Sequence, residues 1–187
     1  KKRRSFNFLK VLLASLFFIC MGALSAQAET TLAYELINNT NGQFSDDEIY
    51  VAVIGQHNDF GAPGYCFLNL AAGSQGNSGK TKMSDSWNTM HKTSGDWGYA
   101  ACFYKLSQIP GKKIHVPLGL YASRIFFSFK SPLYIHFFNN IDAMGYTAPS
   151  MAAGEADPSY GIRYDIIELT YNDAAHAGMF ANTSRVD

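Results

Sequence analysis

The stretch Ile162-Arg-Tyr-Asp-Ile-Ile-Glu-Leu-Thr-Tyr-Asn172 decides how the C-terminal part of this chain folds. Apolar and polar residues alternate along its second half, which is the pattern of a β-strand with two unlike faces. The apolar face holds Ile167, Leu169 and Tyr171, and the opposite face holds Glu168, Thr170 and Asn172. A carboxylate, a hydroxyl and an amide in a row do not suit a core. This second face is therefore either solvated or part of a sugar-binding groove.

The rest of the chain also consists of short strand patterns. Candidate strands cover 31–38, 48–54, 65–70, 113–117, 124–129 and 133–138. Turn residues separate them, and we expect loops over 71–79 and 141–159 and irregular structure over 83–99. Many short strands with few helical patterns predict an all-β fold, a β-sandwich or barrel with long irregular loops.

The N-terminal segment has the pattern of a secretory signal. A basic region, Lys1-Lys-Arg-Arg4 with Lys10, precedes an apolar run over 11–24 and the small-x-small site Ala26-Gln-Ala28. The apolar run is too short for a membrane span. We therefore expect a signal peptide over 1–28, a single domain over 29–187, a secreted protein and no membrane association after cleavage.

Charge and residue types narrow the classes of partner. Residues 29–187 contain all 15 acids of the chain but only 10 of its 15 Lys and Arg, a net charge of −5. An acidic, aromatic-rich domain does not favour nucleic acid or an anionic membrane as partner. The five His have no partner at ligand spacing, so we predict no metal site and no cofactor. A neutral polymer fits this composition better.

Two cysteines, Cys66 and Cys102, follow the predicted signal. In an oxidising compartment a pair of cysteines most simply forms one disulfide, which would close a long loop rich in Gly and Ser. Two buried thiols are the alternative.

A second acid, Asp187, follows the polar run that begins at Asn182. Two carboxyl groups that face each other across a groove are the usual minimum for hydrolysing a glycosidic bond. Glu168 and Asp187 are therefore a candidate acid–base pair.

Several segments, in order, resemble glycoside hydrolase family 64, the laminaripentaose-producing β-1,3-glucanases. Glu168-Leu-Thr-Tyr-Asn172, Phe180 and Asn182-Thr-Ser-Arg-Val-Asp187 are similar to the family's signature. Ser123-Arg-Ile-Phe-Phe-Ser-Phe129 resembles another of its segments, and the residues from Tyr34 to Gly55 resemble its opening hairpin. The segment between Glu168 and Asp187 is about three residues longer than in the family pattern.

The resemblance implies a thaumatin-like β-sandwich that forms one wall of a cleft, with a mixed α/β second domain following Asp187. It also implies an inverting endo-β-1,3-glucan hydrolase with Glu168 as general acid and Asp187 as general base. Sugar contacts fall on Thr170 and Asn172, and also on Phe180 and Ser184, where the family has Trp and Thr. The expected partner is β-1,3-glucan, bound by a monomer. The alternative is a non-catalytic β-glucan-binding protein on the same sandwich.

Overall fold

The structure, a computed structural model, describes residues 31–57, 59, 65–71, 80–82, 89–92, 98–140, 143–172 and 179–186. Within these ranges the chain is mostly β-strand with three short 3-10 helices, so the prediction of an all-β fold is confirmed. No helix in the described ranges has the length and apolar character that crossing a bilayer requires.

Thirteen strands can be described, numbered here in chain order. They are β1 (Thr31–Glu35), β2 (Ile49–His57), β3 (Tyr65–Leu68), β4 (Lys80–Lys82), β5 (Thr89–Lys92), β6 (Gly98–Ala100), β7 (Tyr104–Lys105), β8 (Lys113–Pro117), β9 (Leu120–Phe129), β10 (Phe137–Asn140), β11 (Ala143–Tyr146), β12 (Tyr164–Tyr171) and β13 (Met179–Val186). The 3-10 helices span Leu106–Gln108, Pro110–Lys112 and Met151–Ala156.

The main sheet carries the strand predicted at 162–172 near its edge. Its strand order is β13-β12-β9-β2-β3-β4, and β7 also pairs with β2. Neighbouring strands run antiparallel. Three two-stranded sheets, β1 with β8, β5 with β6 and β10 with β11, complete the described strands.

The first face of the main sheet holds one hydrophobic core cluster. Val51, Val53, Ile125 and Leu169 project from β2, β9 and β12 into it, and Ile167 and Tyr171 pack against it. The covering layer on this side is formed by β8 and the first two 3-10 helices, and its buried residues are Leu106, Ile109, Ile114 and Val116. The predicted apolar face of the 162–172 strand is thus the core face.

The second face of the main sheet holds another core cluster. Phe126 of β9 and Ile54 of β2 are fully buried there beneath Leu133, Ile135 and Phe137. Ile166 of β12 packs against the rim of this cluster. Glu168 and Thr170 lie on the same face of β12 as Ile166, but beyond the end of the covering layer. This boundary creates the site described below.

A β-bulge in β9 lies beside that boundary. The register of β9 shifts against both of its neighbours, between Ile54 and Gln56 on β2 and between Leu169 and Tyr171 on β12. Ala122 adopts a φ of 45° there. A bulge adds local twist and re-aims the side chains that follow it. Gly55 permits the close approach, because a Cβ at Gly55 would overlap that of Ser123.

The structure corrects several predictions of strands and of their partners. The expected opening hairpin is absent from the described ladders: β1 pairs with β8, whereas β2 pairs with β3, β7 and β9. Residues 133–136, predicted as strand, do not belong to a strand, and β10 begins only at Phe137. The carbonyl oxygens of Ile135 and His136 nevertheless accept hydrogen bonds from the backbone N–H groups of Ala100 and Thr147. The segments predicted as irregular or loop contain β5, most of β6, β11 and a 3-10 helix.

The expected disulfide is also corrected. Cys66 and Cys102 are both fully buried and are not joined. Cys66 belongs to the core cluster of the first face and Cys102 to that of the second. The alternative of two buried thiols is the one that the structure has, and burial raises the pKa of the Cys102 thiol.

Candidate active site

A groove of about 510 Å³ opens on the second face of the main sheet, where the covering layer ends. It is called the Glu168 groove here. Its described lining residues are Tyr65, Ala122, Ser123, Arg124, Gly145, Tyr146, Glu168, Leu169, Thr170 and Phe180. The groove therefore combines a carboxylate, a guanidinium, hydroxyls and three aromatic rings.

Glu168 is held by Arg124 of the neighbouring strand. The two residues lie directly opposite each other in the β9–β12 ladder. The Nε and Nη2 atoms of Arg124 donate hydrogen bonds to Oε1 of Glu168 at 3.3 and 3.2 Å. Both side chains are partly exposed, 39% for Arg124 and 42% for Glu168, so solvent reaches the pair from the groove.

Tyr146 forms the wall between the groove and the core. Its ring packs edge-on against Phe126, Phe137 and Tyr65, with centroids 6.1 to 6.2 Å apart. Burial raises the pKa of its hydroxyl, and the nearby charge of Arg124 partly offsets that rise. Burial opposes the charge of Arg124, but Tyr146 and Glu168 outweigh it and raise the pKa of the guanidinium.

Thr170 lies two residues after Glu168, on the same face of β12. Its Oγ1 accepts a hydrogen bond from the backbone N–H of Ala122 in the bulge, at 3.3 Å. The neighbouring hydroxyl of Ser123 points to the other side and donates to the carbonyl oxygen of Leu169 at 2.5 Å. Thr170 thus stabilises the bulge at Ala122 through this hydrogen bond, and its side chain also lines the groove.

Phe180 faces Thr170 across the β12–β13 ladder. It is 59% exposed, so its ring is available to a ligand in the groove. An exposed ring beside polar groups is suited to stacking on the apolar face of a sugar ring. Asn182, opposite Glu168 in the same ladder, is also exposed.

The other predicted site residues are distributed differently. Asn172 follows the end of β12, is half-buried and is not among the described residues that line the groove. Ser184 occupies the register position opposite Ile166 in β13. Asp187 lies outside the described residues, so its distance from Glu168 is not defined. The structure brings together Glu168, Thr170 and Phe180.

Sequence reasoning missed Arg124, Tyr65 and Tyr146 as groove residues. Arg124 belongs to the segment Ser123–Phe129, which resembles the family. A charged residue in a mostly apolar strand indicates that a charged partner lies opposite it. Nothing in the sequence around the two tyrosines indicated the groove. Among the described residues, no group of three or more His, Cys, Asp or Glu is arranged to hold a metal ion.

The described part of the chain is therefore an all-β domain with a groove whose polar and aromatic side chains suit a carbohydrate. The chain belongs to the β-1,3-glucanases of glycoside hydrolase family 64, because the family's sequence pattern matches residues 30–187. A comparison with curated proteins gave no match.

Solved structures of the same family resemble this chain. One is the laminaripentaose-producing β-1,3-glucanase from Paenibacillus barengoltzii, with 28% identity, a TM-score of 0.65 and coverage of 87% of this chain. The same enzyme complexed with laminarihexaose gives 26% identity, a TM-score of 0.65 and 89% coverage. A β-1,3-glucanase domain from Clostridium beijerinckii gives 30% identity, a TM-score of 0.66 and 84% coverage. The chain spans 35%, 38% and 40% of the length of these three chains, respectively.

Proposed function

We propose that this chain forms one wall of the substrate cleft of a secreted, inverting endo-β-1,3-glucan hydrolase. The observation that carries the proposal is the position of Glu168 in the groove, beside the hydroxyl of Thr170 and the exposed ring of Phe180. A carboxyl group, a polar hydroxyl and an aromatic platform are the parts needed to protonate and hold a glucan chain. Family membership supports a β-1,3-glucan as the substrate.

In the proposed mechanism Glu168 is the general acid. Oε1 is engaged by Arg124, whereas no described group hydrogen-bonds to Oε2, which leaves that oxygen for the glycosidic oxygen. Asp187 is the proposed general base, which activates a water molecule from the opposite face of the sugar ring. Inversion requires the two carboxyl groups to stand about 6.5–9.5 Å apart.

Contacts with the sugar come from the same surface. We propose that Phe180 stacks on one glucose ring and that Thr170 hydrogen-bonds to a sugar hydroxyl. Asn172 and Ser184 are proposed as further contacts near the two ends of the β12–β13 hairpin segment. The proposed mechanism uses no cofactor, because proton transfer from the acid and attack by a water molecule complete the hydrolysis.

Hydrolysis of laminarin by the full-length protein tests the proposal. Glu168→Gln and Asp187→Asn should each lower the rate of reducing-end release by about 100-fold or more, as loss of a positioned acid or base does. Glu155→Gln, in the exposed 3-10 helix Met151–Ala156, is the matched control and should leave the rate unchanged. Proton NMR of the first product should show α-configured reducing ends. A β-configured first product would exclude inversion and the role of Asp187.

A non-catalytic β-glucan-binding protein is the second candidate. The observation that favours it is that Glu168 is the single carboxylate among the described residues that line the groove. In that case the protein would sediment with insoluble β-1,3-glucan, but not with cellulose, and would release no reducing ends.

A further inference from the structure

We propose that Arg124 is a positioning residue that fixes the orientation of the Glu168 carboxyl group for catalysis. The inference rests on the proposed hydrolase function and adds a residue that acts through Glu168. The sequence patterns assigned Arg124 no role.

The backbone places Arg124 at the centre of the main sheet. Arg124 lies opposite Glu168 on one side of β9 and opposite Ile54 on the other. Ladders on both sides hold its Cα in place, immediately after the bulge at Ala122. A side chain on a doubly paired strand is a more precise support than one on a loop.

The hydrogen-bond pattern selects one carboxylate oxygen. Nε and Nη2 of Arg124 both donate to Oε1 of Glu168. This two-donor contact restricts rotation of the carboxyl group, because the guanidinium is planar and rigid. Oε2 accepts no hydrogen bond from the described residues, so it is the oxygen presented to a ligand in the groove.

Tyr146 supports the guanidinium from the core side. Its hydroxyl lies close enough to interact electrostatically with Arg124, and its ring is fixed by edge-on contacts with Phe126 and Phe137. The chain of contacts therefore runs from the buried aromatic cluster through Tyr146 and Arg124 to Glu168.

The Arg124–Glu168 ion pair is better suited to orient the Glu168 carboxyl group than to stabilise the fold. An ion pair that is about 40% exposed on both sides is screened by water. Such exposed pairs contribute little to the free energy of folding. A displacement of about 1 Å of a reacting group, by contrast, can lower catalysis by about 100-fold. Loss of Arg124 should therefore affect turnover much more than folding.

Kinetics on laminarin with the full-length protein test the inference. Arg124→Met should lower kcat by about 100-fold while KM changes by less than about threefold, since Oε2 alignment matters in the transition state. Arg124→Lys should recover only part of kcat, because lysine keeps the charge without the planar fork. Tyr146→Phe should lower kcat by a smaller factor. Arg163→Met, at an exposed arginine that lies over Phe129, is the matched control with unchanged kcat.

A double-mutant cycle separates positioning from a merely structural role. If Arg124 acts through Glu168, Arg124→Met combined with Glu168→Gln should be no slower than Glu168→Gln alone. Melting temperatures of all variants are measured in parallel. If Arg124→Met does not fold, the cycle is made with Arg124→Lys.

Two sets of outcomes distinguish the inference from the proposed function. Wild-type kcat in Arg124→Met, or additive losses in the double variant, would overturn the role of Arg124 and leave the hydrolase proposal intact. Absence of laminarin hydrolysis by the wild-type protein would overturn both.

Discussion

The hydroxyl oxygen of Thr170 accepts a hydrogen bond from the backbone N–H of Ala122, 3.3 Å away in the neighbouring strand. Ala122 has a positive φ, so this contact satisfies a backbone donor that the bulge removes from the regular ladder. The hydroxyl group has one proton, and the acceptor role leaves that proton to point away from Ala122. The hydroxyl of Thr170 is thus free of a second constraint from Ala122 and can donate to a ligand in the groove.

Replacement of Thr170 tests this donor. Thr170→Val keeps the shape of the side chain but removes the hydroxyl, and we expect about tenfold weaker binding of a laminarin oligosaccharide, the loss of one hydrogen bond. Thr170→Ser keeps the hydroxyl and should bind within about twofold of wild type. Isothermal titration calorimetry measures both, and equal affinities for the two variants would contradict a role of the hydroxyl.

Phe180 provides a second test of the groove. Phe180→Ala should weaken glucan binding with little change in melting temperature, because the ring is 59% exposed. Phe180→Trp should strengthen binding, since indole offers a larger stacking face and an N–H donor. Tyr160→Ala, at a ring that is 61% exposed outside the lining of the groove, is the matched control. Equal weakening by both alanine variants would show that the effect is not specific to the groove.

The cysteines give a prediction about redox behaviour. In a protein that begins at residue 29, the native state should react slowly with a thiol reagent, whereas the denatured state should titrate two thiols. Burial that raises the pKa of Cys102 disfavours the reactive thiolate. A reducing agent should leave the melting temperature unchanged. A lower melting temperature under reducing conditions would indicate a disulfide.

Asp46 gives a prediction about stability and pH. Lys112 forms an ion pair with its carboxylate and Asn38 donates a hydrogen bond of 2.9 Å, and together they lower the pKa of Asp46 below its ordinary value of 3.8. A carboxyl group whose pKa is lower in the folded state than in the unfolded state stabilises the fold above the unfolded value. This contribution is lost as the pH falls below about 4.

Asp46→Asn should therefore reduce the melting temperature at pH 7 and flatten its decline as the pH falls below about 4. Glu155→Gln is the control and should preserve the slope. Thermal unfolding followed by circular dichroism at several pH values measures this. A slope equal to that of wild type in Asp46→Asn would show that the pair with Lys112 does not contribute.

Local patterns predicted much of the main sheet. The bounds of β8, at Lys113–Pro117, agree with the predicted strand. β12 lies within 162–172, where apolar and polar residues alternate in the sequence. Both successes have the same cause: a strand with one buried face shows its period of two in the sequence itself. Glu168, Thr170 and Phe180 were placed in one groove by the same pattern together with the family resemblance.

Long-range pairing was not predictable in this way. β1 was expected beside β2, and it pairs instead with β8 near Val116. The partner of a strand depends on which surface it buries most completely, and the alternation of β1 is compatible with either neighbour. The cysteines show the same limit, since their number and spacing do not reveal that they lie on opposite faces of the sheet.

The sequence by itself determined an all-β domain, the polar face of β12 and the residue types of the groove, because side-chain periodicity and composition are local properties. The tertiary structure alone decided that Arg124 holds Glu168, that Tyr146 supports Arg124 and that Thr170 closes a bulge at Ala122. Arg124 and Glu168 are 44 positions apart in the sequence, and Ala122 and Thr170 are 48 positions apart. Strand register fixes such pairs, and register depends on the packing of the whole sheet.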